Sequence, residues 1–297
     1  MKTTIIGLGL IGGSIAIDLR KAGLASVLSG VDTNEANASE ALQLGLVDQI
    51  GSMEEMLVDT DVVILAIPVN VLTRLLPRVL DLITDKTIVI DAGSTKGSIC
   101  KAVQSHSRRN QFVAAHPIAG TENSGPSAAF SGLFENKTNI ICEKSRSSEQ
   151  AMTTAMKVFD ALGMNTIFME ADEHDKHVAY VSHLSHVSAF LLGQTVLDIE
   201  KDEKNIAMLA GSGFASTVRL AKSSPDMWAP IFEQNMEYLS QALQEYIIHL
   251  QRFQYHLLKR DSVQLHKTMT EANSIRRILE GIETKSATAQ TKKIVTA

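Results

Sequence analysis

Short runs of apolar and β-branched residues alternate with helical patterns along the first half of the chain. Runs of this length and composition are typical of β-strands. The run DVVILAI at 61–67 is almost continuously apolar, as expected for a strand buried on both faces. The predicted strands cover residues 3–6, 27–31, 61–67, 87–91, 111–115, 138–142 and 165–169.

Apolar residues at helical spacing separate these runs. Beyond residue 32, three helices are predicted between the strands, a polar one at 35–44, an apolar one at 71–80 and a third at 151–162. Strands that alternate with helices in this way form βαβ units. The pattern therefore predicts an α/β fold with a doubly wound, mostly parallel sheet.

Strand patterns stop near residue 170, and the second half of the chain is predicted to be all-helical. Ser224 and Pro225 begin the clearest helix, with a capping hydroxyl followed by proline at the first helical position. The predicted helices cover 173–199, 205–209, 215–222, 224–253 and 263–279. We predict one domain over residues 1–170, a helical domain over 171–284 and a flexible tail over 285–297.

The last two predicted helices carry long apolar stripes at helical period. Such stripes can close a core within one chain, or they can bury the surplus across a two-fold interface. We favour a homodimer formed through the helical domain, and a self-contained helical bundle is the alternative.

A glycine-rich segment connects the first strand to the first helix. Its glycines are Gly7, Gly9 and Gly12, with Leu8, Leu10 and Ile11 between them. In this context the first glycine permits a tight turn, the second admits a pyrophosphate, and the third allows close packing of helix on strand. The helix N-terminus adds free N–H groups for phosphate. The segment predicts a dinucleotide site, rather than a glycine-rich turn of another α/β protein.

The second strand ends at Asp32, twenty residues after Gly12. A carboxylate at this position can accept hydrogen bonds from the adenosine ribose hydroxyls. Thr33, Asn34 and Glu35 offer no cation for a 2′-phosphate. NAD is therefore favoured over NADP.

Composition and charge exclude several classes of protein. The chain has 297 residues and a net charge of −5 without a long basic run, which argues against nucleic acid or an anionic membrane as the main partner. Cys100 and Cys142 show no metal-ligand spacing, and no metal is expected. With no signal peptide and no membrane-spanning run predicted, we expect a cytoplasmic protein.

Three predicted strands end in residues suited to chemistry. Ligands bind at the carboxyl ends of the strands in doubly wound sheets, where Pro68 could wall the cofactor and Ser94 lies in the loop AGSTKGS. His116 follows the strand at 111–115, beside the predicted nicotinamide site, and is well placed for proton transfer. Glu122 lies in the following loop. From the residues alone, capping of the loops remains the favoured role for Ser94 and Glu122.

The helix that begins near residue 172 carries His183 and His186 on one face. They could line a cleft, and core or surface positions are equally compatible with the pattern. Arg219 follows a glycine break, and its guanidinium could hold a carboxylate bidentately. A solvated arginine is the alternative.

Several separated motifs together resemble the prephenate and arogenate dehydrogenase family of tyrosine biosynthesis. The matching segments are GLGLIGGS, DAGSTKG, HPIAGTENSG, HDKHVAYVSHLSH and GFASTVRLAKSSPDMW. Ser185 departs from the family pattern, which has proline at that position. The resemblance implies a Rossmann domain followed by a helical dimerisation domain, and an enzyme that uses NAD for the oxidative decarboxylation of prephenate to 4-hydroxyphenylpyruvate.

Carried over by position, the resemblance implies a role for each candidate. His116 accepts the proton of the ring hydroxyl, and Ser94 bridges this histidine, the substrate and the nicotinamide. Arg219 binds a substrate carboxylate. His186 and His183 line the pocket, and Glu122 belongs to a polar network beside it.

Two other functions remain open. Arogenate, which carries an amine in place of the keto group, is the rival substrate. A protein that binds NAD without turnover is the alternative from a different class, although it would have little use for His116 together with Arg219.

Overall fold

The computed structural model describes residues 1–201 and 206–281. Its strands form one eight-stranded sheet in the order β3-β2-β1-β4-β5-β6-β7-β8, parallel throughout except for the antiparallel pair β6 and β7. The strands are β1 (Lys2–Ile6), β2 (Val27–Val31), β3 (Gln49–Ile50), β4 (Val62–Leu65), β5 (Ile88–Asp91), β6 (Phe112–Pro117), β7 (Thr138–Cys142) and β8 (Asn165–Met169). The predicted doubly wound, mostly parallel sheet is confirmed.

Two details of the sheet differ from the sequence prediction. The two-residue strand β3 was not predicted, because so short a pairing has no measurable period. Strand β6 extends through Pro117, so His116 lies inside the strand and not after it. The pairing of His116 and Pro117 with β7 extends the strand by these two residues.

Helices cover both faces of the sheet. In this part of the chain they are α1 (Leu10–Lys21), α2 (Glu35–Gln43), α3 (Met53–Met56), α4 (Val69–Leu82), α5 (Gly97–Ala102) and α6 (Glu149–Ala161), with short 3-10 turns at Arg109–Gln111, Pro126–Ala128 and Lys144–Arg146. One apolar cluster packs α1 and α6 against the sheet, and a second packs α4 and α5 against it. Alternate residues of β4 point into the two clusters, which explains its continuous apolar run.

The helices beyond β8 are α7 (Ala171–Val178), α8 (Leu184–Glu200), α9 (Ser212–Val218), α10 (Pro225–Gln234), α11 (Met236–Leu258) and α12 (Ser262–Ala272). A π-helical segment, Ala179–His183, joins α7 to α8, and 3-10 turns lie at Ala207–Leu209, Arg219–Lys222 and Asn273–Ile275. Trp228 and Ile231 of α10 pack into the same apolar cluster as α4.

Two sequence predictions about these helices were wrong in detail. The helix predicted from 224 to 253 is divided at Asn235, whose buried side chain bonds to other elements. Ser224 is at the N-cap of α10 with extended backbone, but its hydroxyl makes no capping hydrogen bond. Asn205, at the start of a predicted helix, and the predicted tail at 285–297 lie outside the described residues.

The chain divides into two compact units, one of residues 1–239 and one that begins at Ser240. Every residue of the candidate site described below lies in the first unit. Among the described residues, no helix is long and apolar enough to cross a membrane.

Candidate active site

The glycine segment between β1 and α1 is shaped by close contacts of its backbone. Gly7 has φ +98°, and a Cβ there would lie 2.3 Å from the carbonyl oxygen of Ala66. A Cβ on Gly12 would lie 1.9 Å from the carbonyl oxygen of Gly7. By contrast, a Cβ on Gly9 would find its nearest atom 4.0 Å away, at the backbone nitrogen of Gly125. Gly7 therefore makes the turn, Gly12 allows close packing and Gly9 borders open space, as the motif requires.

The open space at Gly9 lies at the N-terminus of α1, for which Gly9 is the N-cap. Nearby, Asp32 accepts hydrogen bonds from the backbone N–H of Leu8 at 2.9 Å and of Asn34 at 2.9 Å. These bonds fix a carboxylate at the end of β2, next to the loop. Free helix N–H groups, an open backbone and this carboxylate fit a dinucleotide. Ile11 is half-buried in the first turn of α1, and Pro68 is exposed at the N-cap of α4.

A fully buried ion pair joins the ends of β5 and β6. The Lys96 ammonium donates to the Asp91 carboxylate and, at 2.6 Å, to the carbonyl oxygen of Ala115. The other Asp91 oxygen accepts from the N–H of Ala115 at 2.8 Å. Both backbone polar groups of Ala115, the residue before His116, are thus held by this ion pair. In the sequence Lys96 is simply part of the loop AGSTKGS, because burial of a lysine has no local signal.

His116 is the penultimate residue of β6, and its ring meets a second histidine. Its Nδ1 lies 2.8 Å from Nε2 of His174, on α7. The Nδ1 of His174 lies 2.7 Å from Oδ1 of Asp175. That carboxylate also accepts from the backbone N–H groups of Lys96 and Gly97, each at 2.8 Å. Neither His174 nor Asp175 was chosen from the sequence, although the adjacent pair His-Asp in the HDKH segment was a visible signal.

Burial and neighbouring positive charge keep His116 neutral. Burial lowers the pKa of His116 well below its ordinary value, and electrostatic interactions with His174, Lys96 and His183 act in the same direction. Burial also lowers the pKa of His174, against the opposing hydrogen bond to Asp175. A neutral imidazole near pH 7 can accept a proton, which is the property required of a general base.

The two other candidate histidines pack on one tryptophan. His186 stacks on Trp228 with ring centroids 3.5 Å apart, and His183 meets the same ring edge-on at 5.9 Å. Nδ1 of His183 accepts from the Asn235 side chain at 3.1 Å, and that amide also donates to the carbonyl oxygen of Asp175 at 2.7 Å. Burial lowers the pKa of His183 to about 4. His183 is buried and His186 half-buried.

Arg219 and Glu122 face each other at the surface. Their closest side-chain atoms, Nη1 and Oε2, are 3.4 Å apart, and 53% of the Arg219 side chain is exposed. An exposed pair at this distance contributes little to stability. The guanidinium therefore keeps donors available for an anionic ligand. Its charge also helps to lower the pKa of His186, after the effect of burial, which places the two residues in one electrostatic environment.

Ser94 is half-buried in the loop between β5 and α5, two residues before Lys96. Asp175, which bonds His174, accepts hydrogen bonds from the backbone N–H groups of Lys96 and Gly97. These bonds connect the loop to the two histidines. Within residues 1–201 and 206–281, no group of three histidine, cysteine or acidic side chains is placed to hold a metal.

Two family models match consecutive parts of the chain. The model "Prephenate dehydrogenase, nucleotide-binding domain" matches residues 15–168, and "Prephenate dehydrogenase, dimerization domain" matches residues 170–271. The chain belongs to the prephenate dehydrogenase family. The family resemblance stated from the sequence motifs is thereby confirmed.

Individual members of the family are similar over nearly the whole chain. Prephenate dehydrogenase of Lactococcus lactis subsp. cremoris is 30% identical over 282 residues, which are 94% of this chain and 77% of that protein. The crystal structure of prephenate dehydrogenase from A. aeolicus with hydroxyphenyl propionate and NAD⁺ has a TM-score of 0.86 at 28% identity, and covers 94% of this chain and 98% of that one. Arogenate dehydrogenase of Synechocystis has a TM-score of 0.74 at 27% identity, covering 94% of this chain and all of that one.

Proposed function

We propose that this member of the prephenate dehydrogenase family oxidises and decarboxylates prephenate to 4-hydroxyphenylpyruvate with reduction of NAD⁺. The observation that carries the proposal is the neutral His116, held at the carboxyl edge of the same parallel sheet whose first loop fits a dinucleotide. A base and a hydride acceptor side by side are what oxidation of a ring alcohol requires.

His116 is the base in the proposed reaction. Its Nε2 takes the proton of the ring hydroxyl while a hydride leaves the ring carbon that bears this hydroxyl. The new carbonyl weakens the bond to the ring carboxylate, which departs as CO₂. The electrons of that bond make the ring aromatic and leave a phenolate oxygen, to which His116 returns the proton. Ser94 orients the hydroxyl.

The loop Gly7–Gly12 and the Asp32 carboxylate would hold NAD⁺, which would supply the hydride acceptor. Leu8, Leu10 and Ile11 complete the loop, and Pro68 borders the site. The A. aeolicus relative was solved with NAD⁺, which supports the same cofactor here.

Arg219 binds a substrate carboxylate in this proposal. Its exposed guanidinium is loosely paired with Glu122, and the ligand of the A. aeolicus relative, hydroxyphenyl propionate, carries a carboxylate. His186 and His183 line the same pocket, and Glu122 adjusts the position of Arg219. Arogenate is the second candidate substrate, because one structural neighbour is an arogenate dehydrogenase.

We further propose that residues 1–170 form one domain and residues 171–284 a helical domain. The chain forms a homodimer through the helical domain. Large apolar side chains are exposed along α11 and α12, among them Leu250, Phe253, Leu258 and Val263. Burial of such side chains drives association. The buried free thiols Cys100 and Cys142 suit the reducing cytoplasm, where we expect the enzyme to act.

The test is the formation of NADH with purified enzyme, measured by absorbance. Prephenate and arogenate are supplied separately, each with NAD⁺ or NADP⁺. Turnover of prephenate with NAD⁺ is the expected result. Preference for arogenate would keep the mechanism and replace the substrate. NAD binding without turnover of either compound would overturn the proposal in favour of a non-catalytic NAD sensor.

A further inference from the structure

The ring of His116 is backed by a chain of hydrogen bonds that ends on a fixed carboxylate. His116 and His174 meet through Nδ1 and Nε2 at 2.8 Å, with their rings edge to face. A neutral imidazole has one donor nitrogen and one acceptor nitrogen. The direction of this bond therefore decides which nitrogen of His116 is free to act as a base.

Asp175 decides that direction. An ionised carboxylate only accepts hydrogen bonds, so the Nδ1 of His174, 2.7 Å from Oδ1, must carry the proton. The Nε2 of His174 is then an acceptor and takes the Nδ1–H of His116. The lone pair of His116 is left on Nε2, on the opposite side of the ring from His174.

The carboxylate is itself held in its ionised form. Burial alone would raise the pKa of Asp175, but hydrogen bonds from His174 and from the backbone N–H groups of Gly97 and Lys96 outweigh burial and lower it. These two N–H groups bind both oxygens, so the carboxylate is also fixed in orientation. Fixed orientation is what a partner that selects a tautomer must have.

We propose that His174 and Asp175 are positioning residues that hold His116 as the Nδ1–H tautomer, with Nε2 free as the base. The inference rests on the proposed function, because it assigns the tautomer of the base in that reaction. Neither residue touches the reacting atoms in this scheme. Their effect passes entirely through the ring of His116.

The first test reads the tautomer directly in the full-length protein. Histidines labelled with ¹⁵N in the ring give long-range NMR spectra that distinguish protonated from unprotonated nitrogens, and His116→Asn identifies the signals of His116. We expect a protonated Nδ1 and an unprotonated Nε2 at neutral pH. The opposite tautomer overturns the proposal whether or not the enzyme turns over prephenate, so its failure is distinct from failure of the proposed function.

The second test compares two substitutions of His174. His174→Leu removes the acceptor, whereas His174→Gln retains a side-chain oxygen that can accept from His116. We expect His174→Leu to lower kcat by about tenfold or more with little change in the KM for prephenate, since reversal of the tautomer in a catalytic histidine costs up to about 10⁴-fold. His174→Gln should recover part of the loss and keep the Nδ1–H tautomer.

His177 provides the matched control, because it is an exposed histidine on the same helix, three residues further on. His177→Leu and His177→Gln should leave kcat and the spectrum of His116 unchanged. A folded His174→Leu enzyme with wild-type kcat, or with an intact Nδ1–H tautomer, would overturn the proposal. If His174→Leu does not fold, the wild-type spectrum and His174→Gln still decide it.

Discussion

His116 occupies the penultimate position of β6, and the groups around its ring disfavour a positive charge. Burial acts first, and His174, Lys96 and His183 add to it. Because its pKa is lowered, the ring is unprotonated near pH 7 and can accept a proton. The protonated ring then releases that proton readily.

Replacement of His116 by asparagine should abolish most turnover. The variant retains a polar side chain but has no basic nitrogen, and loss of a general base typically costs about 10²- to 10⁴-fold in rate. Steady-state kinetics with prephenate, together with an NAD binding titration, measure the effect. Binding of NAD should be unchanged. Full turnover by His116→Asn would show that the base is elsewhere.

The pH profile of kcat/KM should fall on the acidic side with a midpoint below 6.5. This limb reports the free enzyme's base, and burial lowers the pKa of His116 below the ordinary value of 6.5. As pH falls through that lowered pKa, the ring becomes protonated and can no longer accept the hydroxyl proton. A midpoint at or above 6.5 would contradict the assignment.

Replacement of Arg219 by alanine should act on substrate binding. Loss of a charged hydrogen bond costs about 2 kcal/mol, which corresponds to a rise of about 30-fold in the KM for prephenate. The KM for NAD⁺ should stay constant. Arg78→Ala, which breaks a surface pair with Glu54, is the control. An unchanged prephenate KM in Arg219→Ala would exclude its role as a carboxylate ligand.

At the scale of elements, the loop between β1 and α1 separates two kinds of glycine. Gly12 is required by the fold, because a Cβ there would collide with the backbone of Gly7. Gly9 faces open space, and its lack of a side chain is needed only when a pyrophosphate approaches. Substitution of Gly12 therefore tests packing of the loop, and substitution of Gly9 tests binding of the pyrophosphate.

Gly12→Ala and Gly9→Ala should therefore differ in what they damage. We expect Gly12→Ala to lower the Tm of the protein without ligand, because backbone atoms must move to admit the methyl group. Gly9→Ala should keep that Tm and weaken NAD binding instead. Thermal unfolding and isothermal titration calorimetry make the comparison. Normal NAD affinity in Gly9→Ala would argue against pyrophosphate at this loop.

The helical elements also bring the candidate histidines His183 and His186 together. The π-helical segment Ala179–His183 interrupts the helix that carries them, and such segments occur frequently at functional sites. His183 at its end and His186 in α8 both contact Trp228. These ring contacts join α8 to α10, although α9 separates the two helices along the chain.

At the scale of the whole molecule, buried neutral histidines connect the site to the stability of the fold. His183 has a pKa of about 4 in the folded protein and about 6.5 when unfolded. Above pH 6.5 the ring is neutral in both states. Between pH 6.5 and 4 the unfolded state binds protons first, so the free energy of unfolding falls with falling pH. His116 and His174, whose pKa values are also lowered, add to the fall.

Urea unfolding at several pH values should show this loss of stability. His183 alone is expected to account for about 3 kcal/mol between pH 6.5 and 4. His183→Gln, which cannot be protonated, should show a shallower pH dependence. A free energy of unfolding that is the same at pH 7 and pH 4.5 would contradict the prediction.

The main strands and helices of the sheet domain, the glycine loop and the position of His116 near a strand end are predictable from the sequence alone. These features are local, since a period of two or 3.6, a glycine that must turn and a run buried on both faces are visible within a few residues. The limits of local pattern are equally clear at Asn235. The apolar stripe continues on both sides of it, so the division between α10 and α11 left no trace in the period.

Which groups lie together at the site depends on the three-dimensional fold. His116 and His174 are separated by 58 positions along the chain, and Asp175 bonds the backbone of Lys96 across 79. The sheet brings these groups together by placing the ends of β5 and β6 side by side and packing α7 over them. Burial then sets the charge of each group, because the cost of desolvation depends on all surrounding atoms and not on the neighbours in sequence.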